Sequence, residues 1–275
     1  MRNSIGILLV FFLFQFLATS SALLISGVSL NELQEMSSEQ QQSFNVVLCY
    51  TMLAGNLLMI GVLYVLKYVR KNMFRSFFID ETEENQQVSD RLSAMSYFWA
   101  ILAFLLFSVA LSFVLTPLQL DDGGSTSLFD SVKTNPLCLL LLCVVGPLGE
   151  EVVFREGIMR QLILSKHTPF IAAAISALFF ALFHGNLAQG IPAFVTGVLL
   201  GYLFLQSGSI RLSWAAHIAN NTLGVILLYF PEAETSIMES SSVTNILIAF
   251  ALVTLSMGCC KMLTYQTEKS YASKE

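Results

Sequence analysis

The sequence predicts an all-α fold, a polytopic bundle of about eight membrane-spanning helices, and three observations lead there. Of the 275 residues, 55% are hydrophobic and 12% charged, with 22 phenylalanines and a mean hydropathy of +0.69. The apolar residues are gathered into long runs, and a helix needs about 20 of them to cross the hydrocarbon core with every backbone polar group paired inside the segment. Basic residues collect in cytoplasmic loops. With the N-terminus inside, all of the 14 basic residues except Lys133 fall on that side.

The runs are 4–25, 44–68, 97–116, 137 into the 160s, 170–184, 191–205, 212–230 and 243–263. The first follows Arg2 and ends near small residues, as a signal peptide would, but its apolar length exceeds a signal core and predicts a retained helix. The first three carry no Asp, Glu, His, Lys or Arg in their interiors. The fifth and sixth are short for a crossing. An even number of spans puts both termini in the cytoplasm of a multi-pass cell-membrane protein. The 67–91 loop, basic at its start, aromatic over 74–78 and acidic in its centre, reads either as lying on the inner leaflet or as solvated.

No internal repeat divides the chain, so 1–275 reads as one membrane domain, with the chemistry-bearing helices within 137–230. The net charge of −5 arises in acidic loops, and no basic patch suggests nucleic acid. Cys49, Cys138, Cys143, Cys259 and Cys260 sit in or beside apolar runs without a CxxC pair, and read as small lipid-phase residues, neither a disulfide framework nor a metal cluster.

Polar side chains inside the spans that could do chemistry are confined to three of them. The fourth holds Glu150, Glu151 and Arg155, the fifth His184, and the seventh His217, Asn220 and Asn221. Such groups cost several kcal/mol in a bilayer unless they face a cavity or a partner, which makes them functional candidates. Glu151 and Arg155 stand four apart and share a helical face as an ion pair, whereas Glu150 lies about 100° away and is left free to act. The plainer alternative places Pro147 at a helix start with both glutamates in the first turn at the surface. His184 stands one turn beyond Phe180, and His217 one turn before Asn221, where an amide also serves as interhelical glue.

Together these groups suit hydrolysis by activated water, with a glutamate and a histidine on the water and a second histidine and an amide on the oxyanion. Two histidines and one or two glutamates would suit zinc equally well. Neither HExxH nor a GxSxG elbow is present.

Glu150-Glu-Val-Val-Phe-Arg155, Phe180-Ala-Leu-Phe-His184 and His217-Ile-Ala-Asn-Asn221 resemble the EExxxR, FxxxH and HxxxN motifs of the CAAX prenyl protease and bacteriocin-processing (CPBP, or Abi) family of type II CAAX prenyl endopeptidase-like membrane proteases. The resemblance implies a metal-independent intramembrane endopeptidase without a cofactor. Glu150 would be the base for water, His184 its assistant, His217 and Asn221 the oxyanion donors, and Glu151 with Arg155 a supporting pair. It implies a peptide or membrane-protein substrate, here a short peptide or propeptide, with non-catalytic bacteriocin immunity or regulation of a signalling partner as the alternative. One departure is Phe154-Arg155-Glu156-Gly157 where many members read FRG. Upright helices would also hold His184 and His217 at different depths, so breaks are expected near Gly146-Pro147 and Gly185.

Overall fold

The structure, a computed structural model, describes residues 2–69 and 92–272. The 70–91 connection, most of the loop expected after the second span, lies outside the described residues. Regular structure among them is helical throughout: α1 (Arg2–Ser26), α2 (Ser38–Val69), α3 (Ala94–Leu115), α4 (Ser125–Val132), α5 (Pro136–Leu164), α6 (Pro169–Phe183), α7 (Leu187–Ser207), α8 (Ile210–Leu227), α9 (Pro231–Glu239) and α10 (Ser242–Ala272).

The sequence marks where these helices begin. Asn135 and Thr168 accept hydrogen bonds from first-turn N–H groups of α5 and α6, each with proline following in the first helical position, where its missing N–H costs nothing. Ser93, Asn186 and Ser209 cap α3, α7 and α8 in the same way. The Asn186 cap explains why α7 starts four residues before the expected 191: Pro192 stands near enough to the N-terminus to be carried inside the helix.

Among the described residues, six helices are long and apolar enough to cross a membrane: α1, α2, α3, α5, α7 and α10. The other two expected spans are also helical, but α6 has 15 residues and α8 has 18 with a more polar composition. α1 is built into the bundle: Ile7 and Phe11 are buried, and the Phe11 ring lies 5.6 Å from Phe154 and 4.6 Å from Phe183.

α5 runs through the centre. Its first half is widened at Leu141–Val145, where the Gly146 N–H reaches back five residues to Leu141 O. Pro147 has no N–H to offer an α-helical ladder, and the wider π turn redistributes the donors around it. A second wide stretch spans Glu151–Met159. α6 and α7 approach closely because both faces are small: a Cβ built on Gly197 would lie 3.0 Å from the Ala177 Cβ, and one on Gly201 would lie 3.0 Å from the Ala173 Cβ. Phe170, Leu24 and Phe250 point outward while Glu151, Arg155 and His217 are buried, the inside-out polarity of a bundle solvated by lipid.

Candidate active site

The ion pair expected from the i,i+4 spacing is formed, and it is dry. Arg155 Nη1 stands 3.0 Å from Glu151 Oε1, with the side chains 1% and 0% exposed. Charges this deeply buried need further partners. Arg155 Nη2 donates to Gly197 O at 3.2 Å, and its guanidinium lies 4.7 Å from the centre of the Phe180 ring. The close α6–α7 packing is what brings both of these partners to the arginine.

His217 stands between the two glutamates. Its Nδ1 lies 3.1 Å from Glu151 Oε1, and since an ionised carboxylate only accepts, Nδ1 is the donor. That bond turns Nε2 towards Glu150 Oε2, at 3.5 Å. The imidazole in contact with Glu150 is therefore that of His217. Glu150 keeps 18% of its side chain exposed, into a cavity of about 870 Å³. His184 lines the same cavity. Its Nδ1 bonds Phe180 O at 2.8 Å; the carbonyl can only accept, so in the neutral ring the proton sits on Nδ1 and Nε2 carries a lone pair.

Phe180 binds the site together. Its ring meets Arg155, stacks edge-on with His184 at 4.9 Å and with His217 at 5.8 Å. Both histidines therefore flank one ring, and the expected depth conflict is resolved by helix length. α6 extends only about 22 Å and turns at His184 to Asn186. The 121–125 loop closes over that turn: Ala188 N–H donates to Asp121 O, and Asn186 Nδ2 donates to Ser125 Oγ at 3.1 Å. Gly185, at φ +71, makes the reversal at the break expected from the sequence.

α8 is held against α5 through the carbonyls of the wide turn. With the Gly146 N–H drawn to Leu141 and no N–H on Pro147, Leu142 O accepts instead from Asn221 Nδ2 at 3.0 Å. Trp214 Nε1 donates to Val144 O at 3.1 Å. Trp214, His217 and Asn221 share one face of α8, so the two outer residues fix the middle one at the glutamates. One N–H of the Asn221 amide is thus occupied and one remains for a ligand. Asn220 also lines the cavity and donates to Asn221 Oδ1 at 3.4 Å.

Glu150, Glu151, Arg155, His184, His217 and Asn221, singled out from the sequence, are all brought together. Glu156, the departure from FRG, pairs with Arg160 at 2.9 Å away from the cavity lining. Sequence reasoning missed Asn56 of α2 and Gln15 of α1, both in the cavity wall. The available signal was a lone amide in an apolar run, as in Leu53-Ala-Gly-Asn-Leu57. Among the described residues, no three His, Cys, Asp or Glu side chains group as a metal-binding set.

Residues 132–223 match the model of the type II CAAX prenyl endopeptidase Rce1-like family. The chain is 27% identical over 143 residues to YdiL of Bacillus subtilis (strain 168), whose name proposes a membrane peptidase; the alignment covers 50% of this chain and 58% of YdiL. It is 28% identical over 157 residues to the membrane-embedded CAAX protease MroQ of Staphylococcus aureus (strain USA300), covering 52% of this chain and 63% of MroQ. The matched region thus spans less than two thirds of either relative. No solved structure matches the chain significantly. The matched segment contains the buried Glu151–Arg155 pair, both cavity histidines and the α8 anchor, so the similarity to type II CAAX prenyl endopeptidase Rce1-like proteins falls on the residues that build this cavity.

Proposed function

We propose that the protein is an intramembrane endopeptidase that hydrolyses a peptide bond with water activated by Glu150. The observation that carries this reading is the division of labour between adjacent carboxylates. Glu151 is committed to Arg155 and His217, while Glu150 faces the cavity that His184 also lines and is in contact with His217. Glu150 takes a proton from water as the oxygen attacks the carbonyl carbon. His184, its Nδ1–H pinned to Phe180 O, accepts a hydrogen bond from that water through Nε2 and orients it. With its Nδ1–H held by Glu151, His217 donates from Nε2 to the oxyanion in its imidazolium form, which carries an N–H on both nitrogens, and the remaining N–H of Asn221 is the second donor. Glu150 then returns its proton to the leaving nitrogen as the C–N bond breaks. The residues need no bound ion for these steps, and none is invoked.

The substrate we propose is a short membrane-associated peptide or propeptide. The cavity supports this by pairing apolar walls with uncharged hydrogen-bonding groups, among them Gln15, Asn56, Gln189, Thr196 and Asn220. The charge placement supports a single domain in the cell membrane with both termini cytoplasmic. The test is a comparison of peptides released from membranes holding the wild type, Glu150→Gln or His184→Ala. Each variant should remain in the membrane and lose at least about a hundredfold in cleavage. Undiminished processing in both would sink the proposal, and full biological activity of Glu150→Gln would indicate a non-catalytic immunity or regulatory role.

A further inference from the structure

Asn56 is an amide near the middle of α2, one of two buried amides in that helix with Asn45, which donates to Ser131 Oγ. Asn56 is 6% exposed and lines the cavity that holds Glu150. Its Nδ2 donates to Met52 O of its own helix at 2.9 Å, which turns the amide oxygen outward from α2. That oxygen rests against α5 at Gly149, the residue before Glu150, and a Cβ built there would stand 2.7 Å from it. Only glycine at position 149 lets the two helices meet with the oxygen in this place. No hydrogen bond to Asn56 Oδ1 is formed among the described residues.

Asn56 lines the cavity and its Oδ1 takes no hydrogen bond from the described residues, so a donor that enters the cavity can supply one. An unoccupied acceptor beside the proposed base is therefore a feature for a ligand to satisfy. The chemistry it selects is a neutral N–H donor, and a peptide lying along the cavity supplies one at every residue that is not proline. Resting on the peptidase reading of the same cavity, we infer that Asn56 is a substrate-binding residue. Its Oδ1 accepts a hydrogen bond from a backbone N–H of the peptide and sets which peptide bond stands before Glu150. The contribution comes from α2, outside the segment 132–223 that carries the family motifs.

The test uses the full chain in nanodiscs with Glu150→Gln to prevent turnover, and a fluorescein-labelled decapeptide of alternating leucine and alanine as the probe. Binding is read by fluorescence polarisation. Asn56→Leu, of similar size without the acceptor, should weaken binding about three- to tenfold. A set of probes N-methylated at one position each should include one that loses the same factor when Asn56 is present and loses nothing with the Asn56→Leu variant. A purely structural role for Asn56 cannot produce that non-additivity. Asn56→Ser, which shortens the reach but keeps a polar group, should show the same loss if the leucine variant folds poorly, and the N-methyl series on unchanged Asn56 gives the position independently. Failure of the probe to bind, or equal N-methyl penalties in both backgrounds, overturns the inference. Cleavage of the probe by the otherwise wild-type chain separates the two readings: binding without cleavage removes the peptidase reading and leaves Asn56 as a binding residue, whereas cleavage with unchanged KM in Asn56→Leu removes the inference alone.

Discussion

Replacing Glu151 by glutamine keeps the shape of the side chain and removes the charge that balances Arg155. The guanidinium would be left 1% exposed, without its 3.0 Å carboxylate partner, holding Gly197 O at 3.2 Å and the Phe180 ring at 4.7 Å. Breaking a buried pair from one side costs about 3–5 kcal/mol, whereas replacing both members by neutral groups of similar volume is often close to neutral. Glu151→Gln should therefore destabilise by about 3–5 kcal/mol, Arg155→Met by a similar amount, and the double variant by far less than their sum. The coupling energy expected from that cycle is at least about 2 kcal/mol. Denaturant unfolding in detergent micelles, followed by Trp99 and Trp214 fluorescence, measures it. Additive losses, or a cost under about 1 kcal/mol for Glu151→Gln, would refute the view that the pair is a mutually dependent support for His217.

Gly197→Val forces a branched side chain into the 3.0 Å approach of Ala177 and shifts the carbonyl that Arg155 uses, so it should cost about 1–3 kcal/mol in the same unfolding assay. Metal analysis of the purified protein should find no stoichiometric ion, and chelator should leave cleavage unchanged; loss of activity restored by zinc would replace the water mechanism with a metal-assisted one. Asp122, in the loop that closes over the α6–α7 turn, is held below its ordinary value of 3.8, first by its side-chain bond to Thr126 and then by backbone N–H groups of Thr126 and Gly124. Because the folded value is lowered, this contribution is complete above 3.8 and is lost as pH falls through the folded value. Amide-exchange protection at Thr126 should drop over that acid range and be pH-independent in Asp122→Asn.

Much of the site was legible because helix geometry is local. Four residues bring Glu151 and Arg155 to one face whatever surrounds them, and the same holds for Phe180 with His184 and His217 with Asn221. What was not legible is which partner each group meets across helices. That His217 reaches both carboxylates, or that Asn221 spends one N–H on Leu142 O, depends on a wide turn at Pro147 and on the crossing of α5 and α8. The sixth expected run begins later than α7 does, since Gly190 and Pro192 interrupt the apolar pattern, while the Asn186 cap that overrides them is a single side-chain contact.

By itself the sequence determined the all-helical membrane architecture and the pairing of charge along α5. These follow from apolar run length, from donors and acceptors a few residues apart, and from the cost of charge in lipid. Tertiary structure alone decided the depth and the neighbours. A short α6 ending at His184 and small residues between α6 and α7 bring two distant histidines to one phenylalanine ring, and Gly149 admits Asn56 beside the free glutamate. Those are contacts between segments far apart in the chain, set by packing that no local spacing encodes.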